Sequence, residues 1–234
     1  MKKLLVTLNI GDYDKDITGL TFPYMREYAK NIGADFHVIT ERKFPDFPLM
    51  LEEFQMYEFS QTYDWIIFLD GDCLINPNTV DLTTLVKEDT VIIAKYNPPD
   101  HHFHPENIEG EYDFKYYAPF FFLVFHKNSR DCVKPYANPY DYYEHINLNS
   151  THPEMKNYMK IRSHLTEKEI KDTLIDEFLL TLNLHRYNIK TNTLVEDFPE
   201  LSAISHTSDA KEEKIKQLKK DIKRMNFIQS ISYS

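Results

Sequence analysis

Tyr63-Asp64-Trp65-Ile66-Ile67-Phe68-Leu69-Asp70-Gly71-Asp72 is where the architecture of this 234-residue chain becomes readable. A short continuous apolar run suits a strand covered on both faces rather than one open to water. The strand runs out into two carboxylates with a glycine between them, followed by Cys73-Leu74-Ile75-Asn76-Pro77. Glycine admits a sharp backbone turn where a β-carbon would clash. Carboxylates one residue apart on such a turn can converge on one hard cation, and oxygen donors select magnesium, manganese or calcium. Ligands of open α/β sheets bind beyond the carboxyl ends of the strands, so a metal here suits a phosphate-bearing ligand. Asp and Gly are also ordinary turn residues. The buried strand before them and the Leu-Ile-x-Pro after them favour the metal reading.

Working outward, Lys3 to Asn9 reads as a first strand that ends in Asn9-Ile10-Gly11-Asp12-Tyr13. Asp14 to Ile32 carries apolar residues at helical spacing, with Gly33 as a C-terminal stop. Phe36 to Thr40 completes a βαβ unit, whose crossover should be right-handed. A second helix is expected over Phe47 to Gln61, and a fourth strand over Val91 to Tyr96. Asn97 to Tyr117 is irregular, and Phe120 to His126 is another apolar strand. Thr166 and Glu169 form a capping box for a helix continued by Ile170, Leu174, Phe178 and Leu182. A short strand near Ile189 to Leu194 follows. The last helix, capped by Asp209, carries Ile215, Leu218, Ile222 and Met225 on one stripe. Alternating strands and helices imply an α/β sandwich with a largely parallel sheet. No repeat or linker divides it, so one domain is expected.

The formal charge of -10 argues against a nucleic-acid partner, which usually demands a basic footprint. Two cysteines, Cys73 and Cys132, give neither a disulfide framework nor a zinc ribbon, and a reducing cytoplasm is the simplest compartment. Met1-Lys2-Lys3-Leu4-Leu5-Val6 starts like a signal peptide, but Asn9, Gly11 and Asp12 interrupt the apolar run. The 16 Tyr and 16 Phe suit packing first and sugar binding second. Lys214, Lys219, Lys220, Lys223 and Arg224 crowd the polar faces of the last helix. A solvated helix is the favoured account, with peripheral contact to an anionic membrane the alternative.

Neither a GxGxxG nor a GxxxxGK[ST] fingerprint occurs. The apolar strand into Asp70-Gly71-Asp72, the Asp176-Glu177 pair opening Asp176-Glu177-Phe178-Leu179-Leu180, and the late His206 together resemble GT-A-type nucleotide-sugar glycosyltransferases. The similarity runs in order from Leu4 to about Lys211, and it implies a single Rossmann-like α/β/α sandwich. Residues 1–96 would form the nucleotide-binding half, 97–208 the acceptor side, and 209–234 a basic amphipathic helix. By the same resemblance Asp70, Asp72 and His206 hold a divalent metal, manganese ahead of magnesium, that grips the donor diphosphate. The end of the first strand, Thr7, Asn9, Gly11 and Tyr13, with Asp70 and Gly71, cradles the donor, and Lys211 matches a lysine that contacts diphosphate. Asp176, with Glu177 second, would be the base on the acceptor side. UDP is the commonest donor nucleotide among such enzymes. The acceptor would be a glycan, glycolipid or protein hydroxyl.

The chain departs from that pattern in two places. Tyr117-Ala118-Pro119-Phe120 stands where relatives often have Asn and Gly, which touches the acceptor subsite. The helix before the Asp70 strand has Glu52 and Glu53 where many have Lys or Arg, leaving Arg26, Arg42 or Lys43 as substitutes. His101-His102-Phe103-His104 reads as loop or lid rather than zinc site, for want of spaced ligands. Two other function classes are weighed. A non-catalytic, metal-dependent sugar- or nucleotide-binding protein would keep the fold and lose turnover. A haloacid-dehalogenase-type phosphohydrolase would place its D-x-D nearer the start of the fold.

Overall fold

The computed structural model describes residues 1–11, 14–94, 118–146, 148, 156, 159–160, 162–194, 196–198, 204–205 and 211–232, with side chains of the last helix given to 225. Its centre is a six-stranded sheet in the order β2-β1-β3-β6-β5-β7. The strands are β1 (Lys3–Leu8), β2 (Asp35–Ile39), β3 (Trp65–Leu69), β5 (Thr90–Ile93), β6 (Phe122–His126) and β7 (Lys190–Thr193). β1 pairs in parallel with β2 and β3, and β5 with β7, while β6 runs antiparallel between β3 and β5. All strands except β6 therefore point the same way, and the sheet is largely parallel as expected. β4 (Leu74–Ile75) pairs outside it with β8 (Ile204–Ser205).

Strand alternation sends neighbouring side chains to opposite faces, and β3 shows the result. Trp65, Ile67 and Leu69 pack on one side with Met25, Tyr28 and Ala29 of α1 (Lys15–Ile32). Ile66 and Phe68 pack on the other with Leu51 and Phe54 and with Phe178, Leu179 and Leu182. Burial on both faces explains the uninterrupted apolar run in this strand.

Two expected helices differ. The segment before β3 is a 3-10 helix, Leu49–Gln55, that relaxes into one α turn, α2 (Met56–Phe59). The run from Thr166 breaks in two. α3 (Glu167–Asp172) has its full capping box, but the Thr173 hydroxyl and N–H both donate to the Ile170 carbonyl, at 2.8 and 3.1 Å. A side chain bonding back onto its own helix competes with the backbone ladder. A new helix, α4 (Ile175–Arg186), begins after it, so Asp176 and Glu177 lie in a first turn rather than in mid-helix. The final helix, α5 (Lys211–Ser232), lies on α1, with Leu218 fully buried among Ile17, Leu20, Tyr24 and Leu74. No helix among the described residues is long and apolar enough to cross a membrane.

Candidate active site

The turn after β3 is fixed by its neighbours. The Asp70 N–H donates to the Phe121 carbonyl at 2.9 Å, and the Thr21 hydroxyl of α1 donates to the Gly71 carbonyl at 2.7 Å. A β-carbon on Gly71 would lie 3.0 Å from the Leu8 carbonyl oxygen at the end of β1. Glycine is needed here for close approach, since anything larger would push the turn off β1. The same turn sets Asp70 and Asp72 in each other's field. Burial, the Asp72 charge and, in the opposite sense, the Gly71 N–H and Lys214 leave the Asp70 carboxyl pushed up to about 7.

Alternation along β3 continues Asp70 onto the Phe68 face, and three further carboxyls gather there. Burial, offset by the backbone N–H groups of Glu177 and Asp176 and reinforced by Asp70, pushes Asp176 up to about 7. Glu177 is pushed up to about 8 by burial, with the Phe120 N–H opposing and Asp70 adding to the rise. These shifts keep protons on carboxyls that water would ionise. The helix start beneath the pair favours negative charge and makes a carboxylate at this point affordable. The third is Glu53, 2% exposed, raised by burial and then by Asp176, Asp70 and Glu177. Beneath them Phe120 sits between Phe54 and Phe68, with ring centroids 5.4 and 5.6 Å away. The Thr181 hydroxyl ties α4 to this floor by accepting the Ala118 N–H at 3.1 Å.

Asp72 faces a different neighbour. Lys214 of α5, itself buried, is in an ion pair with its Oδ2. The sequence spacing that put Lys214 on a solvated face is corrected here, because α5 leans on α1 and carries Lys214 in toward the turn. Lys211, one turn earlier, pairs instead with Asp14 at 2.8 Å and Asp16 at 3.3 Å. At the end of β1 Thr7 is buried, and neither its hydroxyl nor the Asn9 side-chain oxygen has a hydrogen-bond partner among the described residues. Gly11 is exposed at φ 71°. Tyr13, His206 and the run His101 to His104 lie outside the described residues. Ser205, the neighbour of His206, pairs with Leu74, two residues beyond Asp72. The substitutes for a cation in the helix before β3 go elsewhere. Arg42 bonds Glu52 at 3.1 Å, Lys43 pairs with Glu58, and Arg26 stacks over Phe36 at 5.2 Å.

Sequence reasoning passed over Glu53 and Lys214 as members of this site. The only signal for either was an acidic residue in an otherwise apolar segment, and a lysine one turn into an amphipathic helix.

No protein-family model and no curated protein matches the chain. Among solved structures it is similar to a glycosyltransferase involved in the glycosylation of the major capsid of PBCV-1, at 12% identity and TM-score 0.49, over 93% of this chain and 100% of that one. It is also similar to a mutant Drosophila beta-1,4-galactosyltransferase 7 in complex with manganese, UDP-Gal and xylobiose, at 14% identity and TM-score 0.44, over 89% and 72% of the two chains. A197 from STIV is matched at 12% identity and TM-score 0.32, over 56% and 68%. These likenesses concern the path of the chain.

Proposed function

We propose that this protein is a metal-dependent glycosyltransferase that moves a sugar from a nucleotide-sugar donor, UDP-linked in the favoured case, to a hydroxyl of a glycan, glycolipid or protein. The observation that carries the reading is the pair Asp70, half-buried, and Asp72, buried, on one glycine turn at the carboxyl edge of the sheet, with Asp176 and Glu177 brought to the same edge by the start of α4. Oxygen donors of this kind fit manganese or magnesium. Among the described residues no three acidic, histidine or cysteine side chains converge on one point. The remaining positions fall to diphosphate oxygens, water and His206, whose chain neighbour pairs beside the turn. A cation bound there supplies positive charge where the leaving diphosphate develops negative charge.

The chain's own groups do the rest. Lys214 adds a buried ammonium on the Asp72 side and is the better-placed diphosphate partner, with Lys211 the second. Thr7, Asn9, Gly11 and Tyr13 receive the nucleoside at the end of β1. Asp176, held near neutrality by burial, takes the acceptor hydroxyl's proton on its carboxylate, since a base works best with a pKa close to the working pH. Glu177, fixed by the Phe120 N–H, is its alternate.

Thermal-shift and isothermal titration of nucleotide sugars, with and without manganese, test the reading. Binding to the folded state raises apparent stability by mass action, so a manganese-dependent rise for one donor is expected, together with its slow hydrolysis. Asp72→Asn should abolish metal-dependent turnover and Asp70→Asn weaken it severely, with circular dichroism unchanged. Equal manganese-dependent turnover in wild type and Asp72→Asn would remove the claim. Binding without turnover toward any acceptor would leave a sugar-binding protein.

A further inference from the structure

We propose that Glu53 is a specificity-determining residue of this site, its carboxyl receiving a hydroxyl of the sugar carried by the nucleotide donor. The inference rests on the glycosyltransferase reading and goes beyond it to one residue and one part of the substrate. Its starting point is the contrast between two adjacent glutamates. Glu52 is fully buried and fully used: it accepts from the Arg42 Nε at 3.1 Å, the Lys43 N–H at 2.8 Å, the Phe44 N–H at 2.9 Å and the Gln55 Nε2 at 2.8 Å. Those bonds hold the loop after β2 onto the 3-10 helix, and they leave no structural task for a second carboxyl. Glu53 is equally buried, yet its Oε2 has no hydrogen-bond partner among the described residues. A buried polar atom without a partner costs free energy, and in a native protein it calls for an explanation.

The surroundings say what the partner is. Asp70, Asp176 and Glu177 all act electrostatically on Glu53, and Asp176, 4% exposed, also keeps an oxygen, Oδ1, without a partner. Among the described residues the cations on either side of the site are already paired, Arg42 with Glu52 and Lys214 with Asp72. A second metal is not favoured either, since no three ligating groups converge among the described residues. What remains is a neutral hydrogen-bond donor with more than one O–H, for the open oxygens of Glu53 and Asp176. A pyranose ring has that chemistry.

Paired titrations test this, using the whole protein with manganese and UDP-, GDP-, dTDP- and CMP-linked hexoses, each against its free nucleotide. Wild type should bind one nucleotide sugar more tightly than the matching nucleotide. Glu53→Leu should erase that advantage, a loss of about tenfold on the sugar nucleotide for a hydroxyl left unpaired, while free-nucleotide affinity stays the same. The ligand-free variant should also melt at a higher temperature. Glu53→Gln, which keeps the shape and one acceptor, should lose a few-fold on the sugar nucleotide only, so it carries the test if the leucine variant misfolds. Equal losses on nucleotide and sugar nucleotide, or no loss on either, would overturn the role of Glu53 and leave the enzyme assignment standing. If wild type binds no nucleotide of the set, the glycosyltransferase reading fails and takes this inference with it.

Discussion

At the scale of single residues, two neighbours of one type do opposite things because a 3-10 turn points them at different surroundings. Glu52 is a buried charge with four donors, one of them the Arg42 guanidinium. Removing the Glu52 carboxylate leaves the Lys43 and Phe44 N–H groups without their acceptor, so Glu52→Ala is expected to cost about 1–3 kcal/mol, read as a lower urea midpoint at unchanged slope. Glu53→Leu should move the midpoint the other way, for the reason already given. A sequence cannot distinguish them: both are acidic, both stand in an apolar segment, and successive positions on a tight helix differ only in the direction they face. The turn that carries Asp70 and Asp72 was legible from the apolar strand before it, and alternation along that strand gives the direction of Asp70, whereas Asp72 lies past the turn and takes its direction from Lys214. Gly71 was legible as a turn residue, whereas the reason that only glycine fits, the Leu8 carbonyl 3.0 Å from its missing β-carbon, is a contact 63 residues away in the chain.

Among the elements, most strands and helices could be placed from periodicity, caps and stops. Strong local signals fix them: the apolar run of β3, the Gly33 stop at φ 67°, the capping box at Thr166. The break between α3 and α4 was not legible, since Leu174 and Phe178 keep the apolar spacing straight through it. Only the Thr173 hydroxyl turning back on Ile170 betrays it, and that bond is a choice of rotamer. The docking of α5 was half legible. Its stripe announces a buried face, but the partner, α1, and the burial of Lys214 follow from tertiary packing. Leu218 is the hinge of that docking, fully buried between α1 and β4. Leu218→Ala is expected to cost about 2–5 kcal/mol, with amide exchange across residues 211–225 accelerating before exchange in β1 or β3. Uniform acceleration everywhere would mean that α5 is not a separable layer.

For the molecule as a whole, the consequence of crowding acids at one sheet edge is a stability that depends on pH in an unusual direction. Asp176 goes from 3.8 to about 7 and Glu177 from 4.5 to about 8, in both cases chiefly through burial. A carboxyl that holds its proton more tightly folded than unfolded stabilises the fold fully below its unfolded pKa, and that stabilisation is lost as pH rises through the folded value. Ligand-free protein should therefore weaken steadily between about pH 5 and pH 8. Asp14, Asp64, Asp89 and Glu169, lowered mainly by Lys211, Lys127, Lys190 and the Thr166 N–H in turn, have already given their stabilisation at pH 5. His126, lowered by burial, works against the trend as it loses its proton. The site's share is therefore read as a difference. Urea midpoints measured at both pH values should fall for wild type and fall distinctly less for the Asp176→Asn, Glu177→Gln double variant. The same slope in both proteins would mean that these two carboxyls titrate as they do in water. Manganese adds a second arm, because a cation competes with protons for carboxylates. On the proposed reading it should raise the midpoint at pH 8 and do little at pH 5, and an equal effect at both values would mean that manganese does not bind at these carboxyls.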